Sequence, residues 1–276
     1  MAPDSQTGQK PSMTNAPAVH VRREVRQGGA RIAFVTIDNA AKLNALGMGL
    51  MNQFIAALGA LAADEALRAV VVTGAGTRAF VGGADIDELA ALAGPAAARE
   101  FIGAVHACCA AVRDLPVPVI ARIGGYALGA GLELAAACDL RIAADAAIFG
   151  MPEVRLGIPS VVEAALLPML VGWAKAREML LLGETFDAAA ALRMGLANAV
   201  VPAADLDAAV EGRLAAILAA APRAVRLQKA LIRAWEDLPL AAAIAAGVDA
   251  FAAAFETDEP RAAIAAFRKA RQAPGG

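Results

Sequence analysis

Two short, largely apolar runs, Ala69–Thr73 and Val119–Ile123, constrain this chain most. Each is too short for a helix and lacks the alternation of a strand with one wet face, so both read as strands covered on both sides. The first ends in Gly74-Ala75-Gly76, the second in the glycine-rich stretch Gly124 to Gly131, and helical patterns lie beyond both. Further strands are predicted at Val19–Arg26 and Arg31–Ile37, around a Gly28-Gly29 turn, and at Leu140–Ala143, Ile148-Phe149 and Ala197–Val201. Helices are predicted over Asn44–Leu61, Asp85–Leu92, from Pro95 onward, over Leu132–Ala137, Val161–Leu170, Trp173–Leu182 and Ala188–Arg193. Alternating strand and helix point to an α/β arrangement of parallel strands.

After Pro202 only helical patterns remain. Leu206, Val210, Leu214, Ile217 and Leu218 mark one face; Leu240, Ile244, Val248, Phe251 and Phe255 mark another. The expected organisation is a polar, disordered tail at 1–17, an α/β core at 18–202 and a helical region at 203–276. The last region is too small to bury a large core alone, so it is expected to pack on the core or on another subunit.

The formal net charge of −2 and the pI near 5.8 argue against a general nucleic-acid binder, which would carry a basic face. Hydrophobic residues make up 59% but aromatics only 4%, an excess of small side chains suited to thin, closely packed helices. No stretch of ~18 apolar residues runs free of charge, so no membrane span is expected. Cys108, Cys109 and Cys138 sit among apolar residues and read as small buried groups in a reducing compartment. With two histidines and no CxxC, a zinc-type metal site has little to draw on. Met1 to Pro17 has no apolar signal core, and a cytoplasmic location is expected.

Two stretches carry candidate chemistry. In Phe80-Val81-Gly82-Gly83-Ala84-Asp85-Ile86, two glycines precede a helix start. Glycines allow a sharp turn and close approach of a ligand, and helix-start amides point outward unpaired. The plain alternative is a strand-to-helix turn capped by Asp85. The second stretch, Gly124 to Leu134, enters an apolar helix whose one carboxylate is Glu133. A lone buried Glu is costly unless partnered or used. Leu134 occupies the third glycine position of a dinucleotide fingerprint, and no phosphate-loop motif is present. A further carboxylate, Glu153, follows Pro152; a surface pair with Arg155 is its structural alternative. Two amides aimed at one oxygen make an oxyanion hole, and two close carboxylates share a proton.

In these stretches the chain resembles the crotonase superfamily, also called the enoyl-CoA hydratase/isomerase family. Asp38 to Leu46 resembles its early Asn-Ala-Leu motif, Phe80 to Ile86 its first oxyanion loop and Gly125 to Asp139 its second. Met151-Pro152-Glu153 resembles its second carboxylate segment and Phe255 to Arg271 its C-terminal helix. The resemblance implies a spiral of ββα units, a C-terminal helical trimerisation region, and a trimer or dimer of trimers. It implies a CoA thioester with its carbonyl oxygen between the amides of Ala84 and Ala130. Lys42, Leu43, Ala45, Gly82, Gly83, Asp85, Ile86 and Gly129 then flank the substrate. CoA arrives as part of that substrate, and no separate cofactor is expected.

Glu133 and Glu153 match the two hydratase carboxylates, whereas many family isomerases keep one. A 2-enoyl-CoA hydratase is therefore expected, with Glu133 activating water and Glu153 delivering a proton to C2. A 3-enoyl to 2-enoyl-CoA isomerase, other CoA-thioester chemistry, and a non-catalytic CoA-binding protein are the alternatives. The chain departs from the family pattern at Ala40, usually Pro; at Ala130, often Gly; and at Met151, often polar. Ile158-Pro159-Ser160-Val161-Val162-Glu163 stands where a Gly-rich turn is usual, next to the acyl pocket.

Overall fold

The computed structural model describes residues 16–272. The predicted N-terminal tail thus lies outside the described residues except at Ala16 and Pro17. The chain opens with β1 (Ala18–Val25) and β2 (Arg31–Asp38), an antiparallel hairpin turning through Gly28-Gly29 at positive φ. There follow α1 (Met48–Ala62), β3 (Leu67–Gly74), β4 (Ala79–Val81), α2 (Ile86–Ala90), α3 (Pro95–Arg113), β5 (Val119–Ile123), β6 (Tyr126–Leu128) and α4 (Ala130–Ala137). Next come β7 (Leu140–Ala144), β8 (Ile148–Gly150), α5 (Leu167–Leu182), β9 (Thr185–Asp187), α6 (Ala188–Arg193) and β10 (Ala199–Val201). The helices α7 (Leu206–Ala219), α8 (Pro222–Trp235), α9 (Leu240–Ala254) and α10 (Glu259–Gln272) end the described chain.

The strands form a six-stranded sheet in the order β1-β2-β3-β5-β7-β10 and a four-stranded sheet in the order β4-β6-β8-β9. Each turn of chain adds one strand to the large sheet and the next to the small one: β3 then β4, β5 then β6, β7 then β8. Within each sheet these successive strands are parallel. This is the expected spiral of ββα units. Among the described residues, antiparallel pairing enters only at the first hairpin and where β9 closes the small sheet against β8.

The apolar run in β3 follows from burial on two faces. Val70 and Val72 point into the main core with Leu50, Phe54, Phe80 and Phe101, while Ala69 and Val71 face the opposite side. There they cluster with Ile120 of the adjacent β5, Ile142 of β7 and Leu206, Val210 and Leu214 of α7. The first helix of the C-terminal region therefore covers the outer face of the large sheet.

Several boundaries differ from the sequence reading, each for a local reason. α1 starts at Met48, not Asn44, because Leu43 and Asn44 take left-handed φ of 56° and 60°. Asn44 is fully buried, and its side-chain amide donates to the carbonyls of Ala75 and Ala79. Glu88 instead serves the start of α1, accepting from Met48 N–H at 2.8 Å. The stretch Gly124 to Gly131, read as one turn, holds β6, and α4 begins at Ala130 rather than Leu132. β4, β6 and β9 span three residues each, too short for periodicity to register. The predicted helix at Val161–Leu170 begins as a tight turn, Val162–Leu166, that runs into α5, which is itself bent at Gly172 (φ 78°). Among the described residues no single helix is long and apolar enough to cross a membrane.

Candidate active site

β4, β6 and β8 lie side by side and parallel, so the chain leaves all three at the same edge of the small sheet. Ligands in such sheets collect beyond the carboxyl ends of the strands. Here those ends deliver Gly82-Gly83-Ala84, Gly129-Ala130 and Met151-Pro152-Glu153 to one place.

The first loop is held by residues 43–46. Gly82 N–H donates to Leu43 O at 2.8 Å, Leu46 N–H to Gly83 O at 2.8 Å and Asp85 N–H to Leu46 O at 2.9 Å. Leu46 thus bonds to residues on both sides of Ala84, which turns the Ala84 N–H away from this contact. Beyond it, Asp85 accepts from Asp87 N–H and caps α2. Lys42 bridges the Asp85 and Asp87 carboxylates at 2.8 and 2.7 Å. Burial alone would raise Asp85, but the Lys42 ammonium and the Asp87 and Glu88 amides bring it below the usual carboxylate range. Ala45 is buried behind the loop, and Ile86 is exposed at its rim.

The second loop turns at Gly129 (φ 51°, ψ −122°), where a side chain would lie 2.4 Å from Glu153 Oε1. Gly129 N–H donates to Gly150 O, tying this loop to the end of β8. Ala130 follows as the first residue of α4, where an N–H has no acceptor within its helix. Gly131 brings the helix start onto β4: a Cβ there would lie 2.0 Å from Val81 O. Both Ala84 and Ala130 line a cavity of about 110 Å³, together with Glu133 and Glu153. Its remaining wall is mostly apolar, including Leu89, Phe101, Ile102, Val105 and Ile158. A larger cavity of about 450 Å³ at the far end of α4, by Asp139 and Lys229, includes neither loop.

All of α4 is buried, and Glu133 is 3% exposed. Burial, and then the nearby Glu153 charge, push its carboxyl up to about 8, against the Ala164 and Val161 amides that donate to it. The Ala164 N–H lies 3.3 Å from Glu133 Oε1. Glu153 is half-buried and accepts from the Ser160 hydroxyl at 2.8 Å. The alternative pair with Arg155 does not form: that guanidinium donates to Leu182 O at 3.1 Å and lies 3.9 Å from Glu184. The structure thus gathers Gly82, Gly83, Ala84, Ile86, Gly129, Ala130, Glu133 and Glu153 around one cavity. Lys42, Leu43, Ala45 and Asp85 lie behind its first loop. The sequence reading missed the Ser160 contact and the buried anchoring by Asn44. The Asn-Ala-Leu motif pointed toward Asn44; nothing local pointed to Ser160.

Two glycine loops and two carboxylates on the ends of adjacent parallel strands coincide with a match to the enoyl-CoA hydratase/isomerase family over residues 27–274. The chain belongs to that family. It is 35% identical over 246 residues to the short-chain-enoyl-CoA hydratase of Clostridium acetobutylicum, covering 89% of this chain and 94% of that one. It is equally identical, over 244 residues, to the crotonyl-CoA hydratase of Syntrophomonas wolfei, covering 88% and 94%. The crystal structure of an enoyl-CoA hydratase from Mycobacterium smegmatis superposes with a TM-score of 0.85 at 30% identity, covering 90% of this chain and 96% of that one. This enoyl-CoA hydratase/isomerase family member therefore shares the fold along nearly its whole described length.

Proposed function

We propose that the protein is a 2-enoyl-CoA hydratase whose reaction runs between the amides of Ala84 and Ala130 and the carboxylates of Glu133 and Glu153. The observation that carries this reading is that Glu133 and Glu153 line one small cavity together with Ala84 and Ala130. The thioester oxygen accepts from the two N–H groups, which stabilise the negative charge that develops there. One carboxylate takes a proton from water as the C3–O bond forms and the C2=C3 π bond breaks. The other gives a proton to C2, so one water is added and the pair ends with the same number of protons.

The family resemblance assigns water to Glu133 and the C2 proton to Glu153. After one turnover the shared proton then stands on Glu133, the group that burial already favours for it in the free site. Resetting the site requires that proton to pass back to Glu153.

The small volume and its apolar wall favour a short acyl chain, in keeping with the names of the Clostridium and Syntrophomonas relatives. In this reading the CoA portion lies along Gly82, Gly83, Ile86 and Gly129 at the cavity, with Lys42, Leu43, Ala45 and Asp85 supporting the first loop from behind, and no separate cofactor is needed. A homo-oligomer, as a trimer or dimer of trimers, and a cytoplasmic location belong to the same reading. The exposed apolar face of α9 supports the first, and three unpaired buried cysteines support the second. A panel of 2-enoyl- and 3-enoyl-CoA thioesters of increasing length tests the function. Loss of the conjugated enoyl absorbance with a mass gain of one water is expected, fastest for short chains. Growth of that absorbance from 3-enoyl substrates, without mass gain, would make the protein an isomerase instead.

A further inference from the structure

We propose that Ser160 is a positioning residue for the reacting carboxylates, acting through the 160–164 segment that it heads. The proposal rests on the hydratase reading above. The two oxygens of Glu153 have different surroundings. Oε2 accepts from the Ser160 hydroxyl at 2.8 Å, whereas Oε1 lies against Gly129, beside the Ala130 amide. Glu153 stands at the start of a single tight turn, Glu153–Leu156, and its side chain has several rotors. A hydroxyl bound to one oxygen fixes the direction of the other, which is the one facing the second oxyanion loop.

The same segment reaches the other carboxylate. The Val161 and Ala164 amides donate to Glu133. Between them Val162 has φ of 42°, a left-handed conformation costly for a β-branched side chain. Glu163 ties this strained stretch to α3: it is 3% exposed, with Oε1 2.9 Å from His106 Nδ1 and 3.8 Å from the Arg113 guanidinium. Displacing residues 160–164 therefore moves both carboxylates at once. The Ser160 hydroxyl at one end and the buried Glu163 anchor near the other thus hold this stretch beside both carboxylates.

Steady-state hydration of a short 2-enoyl-CoA by Ser160→Ala, Ser160→Thr, Glu153→Gln and Ser160→Ala/Glu153→Gln tests the proposal, with circular dichroism and thermal unfolding as folding controls. Ser160→Ala is expected to lower kcat roughly 10-fold while KM stays within about 2-fold, since binding groups are untouched and only reacting geometry is loosened. Ser160→Thr keeps the hydroxyl and is expected to recover most of the rate. Adding Ser160→Ala to Glu153→Gln is expected to cost little more, because the two act as one unit. A folded Ser160→Ala enzyme with unchanged kcat overturns the proposal. So does an equal loss in the Glu153→Gln background, or a threonine variant as slow as the alanine one. If the unaltered protein adds water to no enoyl-CoA in the panel, the hydratase reading itself fails, and that result is seen before any variant is made.

Discussion

Glu133 links catalysis to stability. Its carboxyl is pushed up to about 8 by burial on a helix with no polar face, from an unfolded value of 4.5. The folded state therefore holds the proton more tightly, and stability from this group is complete below about pH 4.5 and lost as pH rises through 8. At roughly 1.4 kcal/mol per pH unit of difference, ionising it costs the fold several kcal/mol. Glu133→Gln is expected to raise Tm relative to the unaltered protein, by more at pH 9 than at pH 5; a pH-independent difference in calorimetric scans would show that the buried charge is not the cause. Activity should move the opposite way. Glu133→Gln and Glu153→Gln are each expected to lose roughly 10²–10⁴-fold in hydration rate, and the double variant less than the product of the two losses. A Glu133→Gln enzyme that isomerises at near the unaltered rate would assign Glu133 a structural role and leave Glu153 as the working base.

Among the elements, the short strands β4, β6 and β8 matter most, since their parallel register decides that three loops distant in sequence end together. The two amides are backbone groups, so their supply depends on loop shape rather than on side chains. An alanine at position 130 therefore still presents its backbone N–H at the start of α4. Proline has no N–H. Ala84→Pro and Ala130→Pro are each expected to lower kcat about 10²–10³-fold, or roughly 2.7–4 kcal/mol in the barrier. Ala130 is the first helical position, where proline is well tolerated, so Ala130→Pro is the cleaner test. Near-full turnover by a folded Ala130→Pro protein would remove that amide from the mechanism.

Over the whole molecule, burial is uneven. The spiral core leaves Phe54, Phe80 and Phe149 with no exposed surface, whereas α9 shows Leu240, Ile244, Val248 and Phe251 at 63–77% exposure. Four large apolar side chains along one helix face make a continuous patch of the kind that marks an interface. Sedimentation equilibrium is expected to give an oligomer at micromolar concentration, and Val248→Glu with Phe251→Glu to shift it toward monomer. A stable monomer of the unaltered chain would refute that assignment of the α9 face.

The sequence by itself determined the parts set by local pattern. The doubly covered strands β3 and β5, the glycine loops, the lone Glu on an apolar helix and the helical C-terminal region were all legible there, because periodicity and glycine conformation are properties of neighbouring residues. The ordered motifs also named the two carboxylates. Only the tertiary structure decided what those residues touch. The three-residue strands β4 and β6 have no period to read, yet their pairing with β8 brings Ala84, Ala130 and Glu153 to one edge. Asn44 looked like the start of a helix and is instead a buried anchor, since its partners at Ala75 and Ala79 lie more than thirty residues away. Glu153 had Arg155 two positions on as its evident partner, and the fold gave it Ser160, because a tight turn at 153–156 swings the arginine outward to Leu182 while the chain returns over the carboxylate.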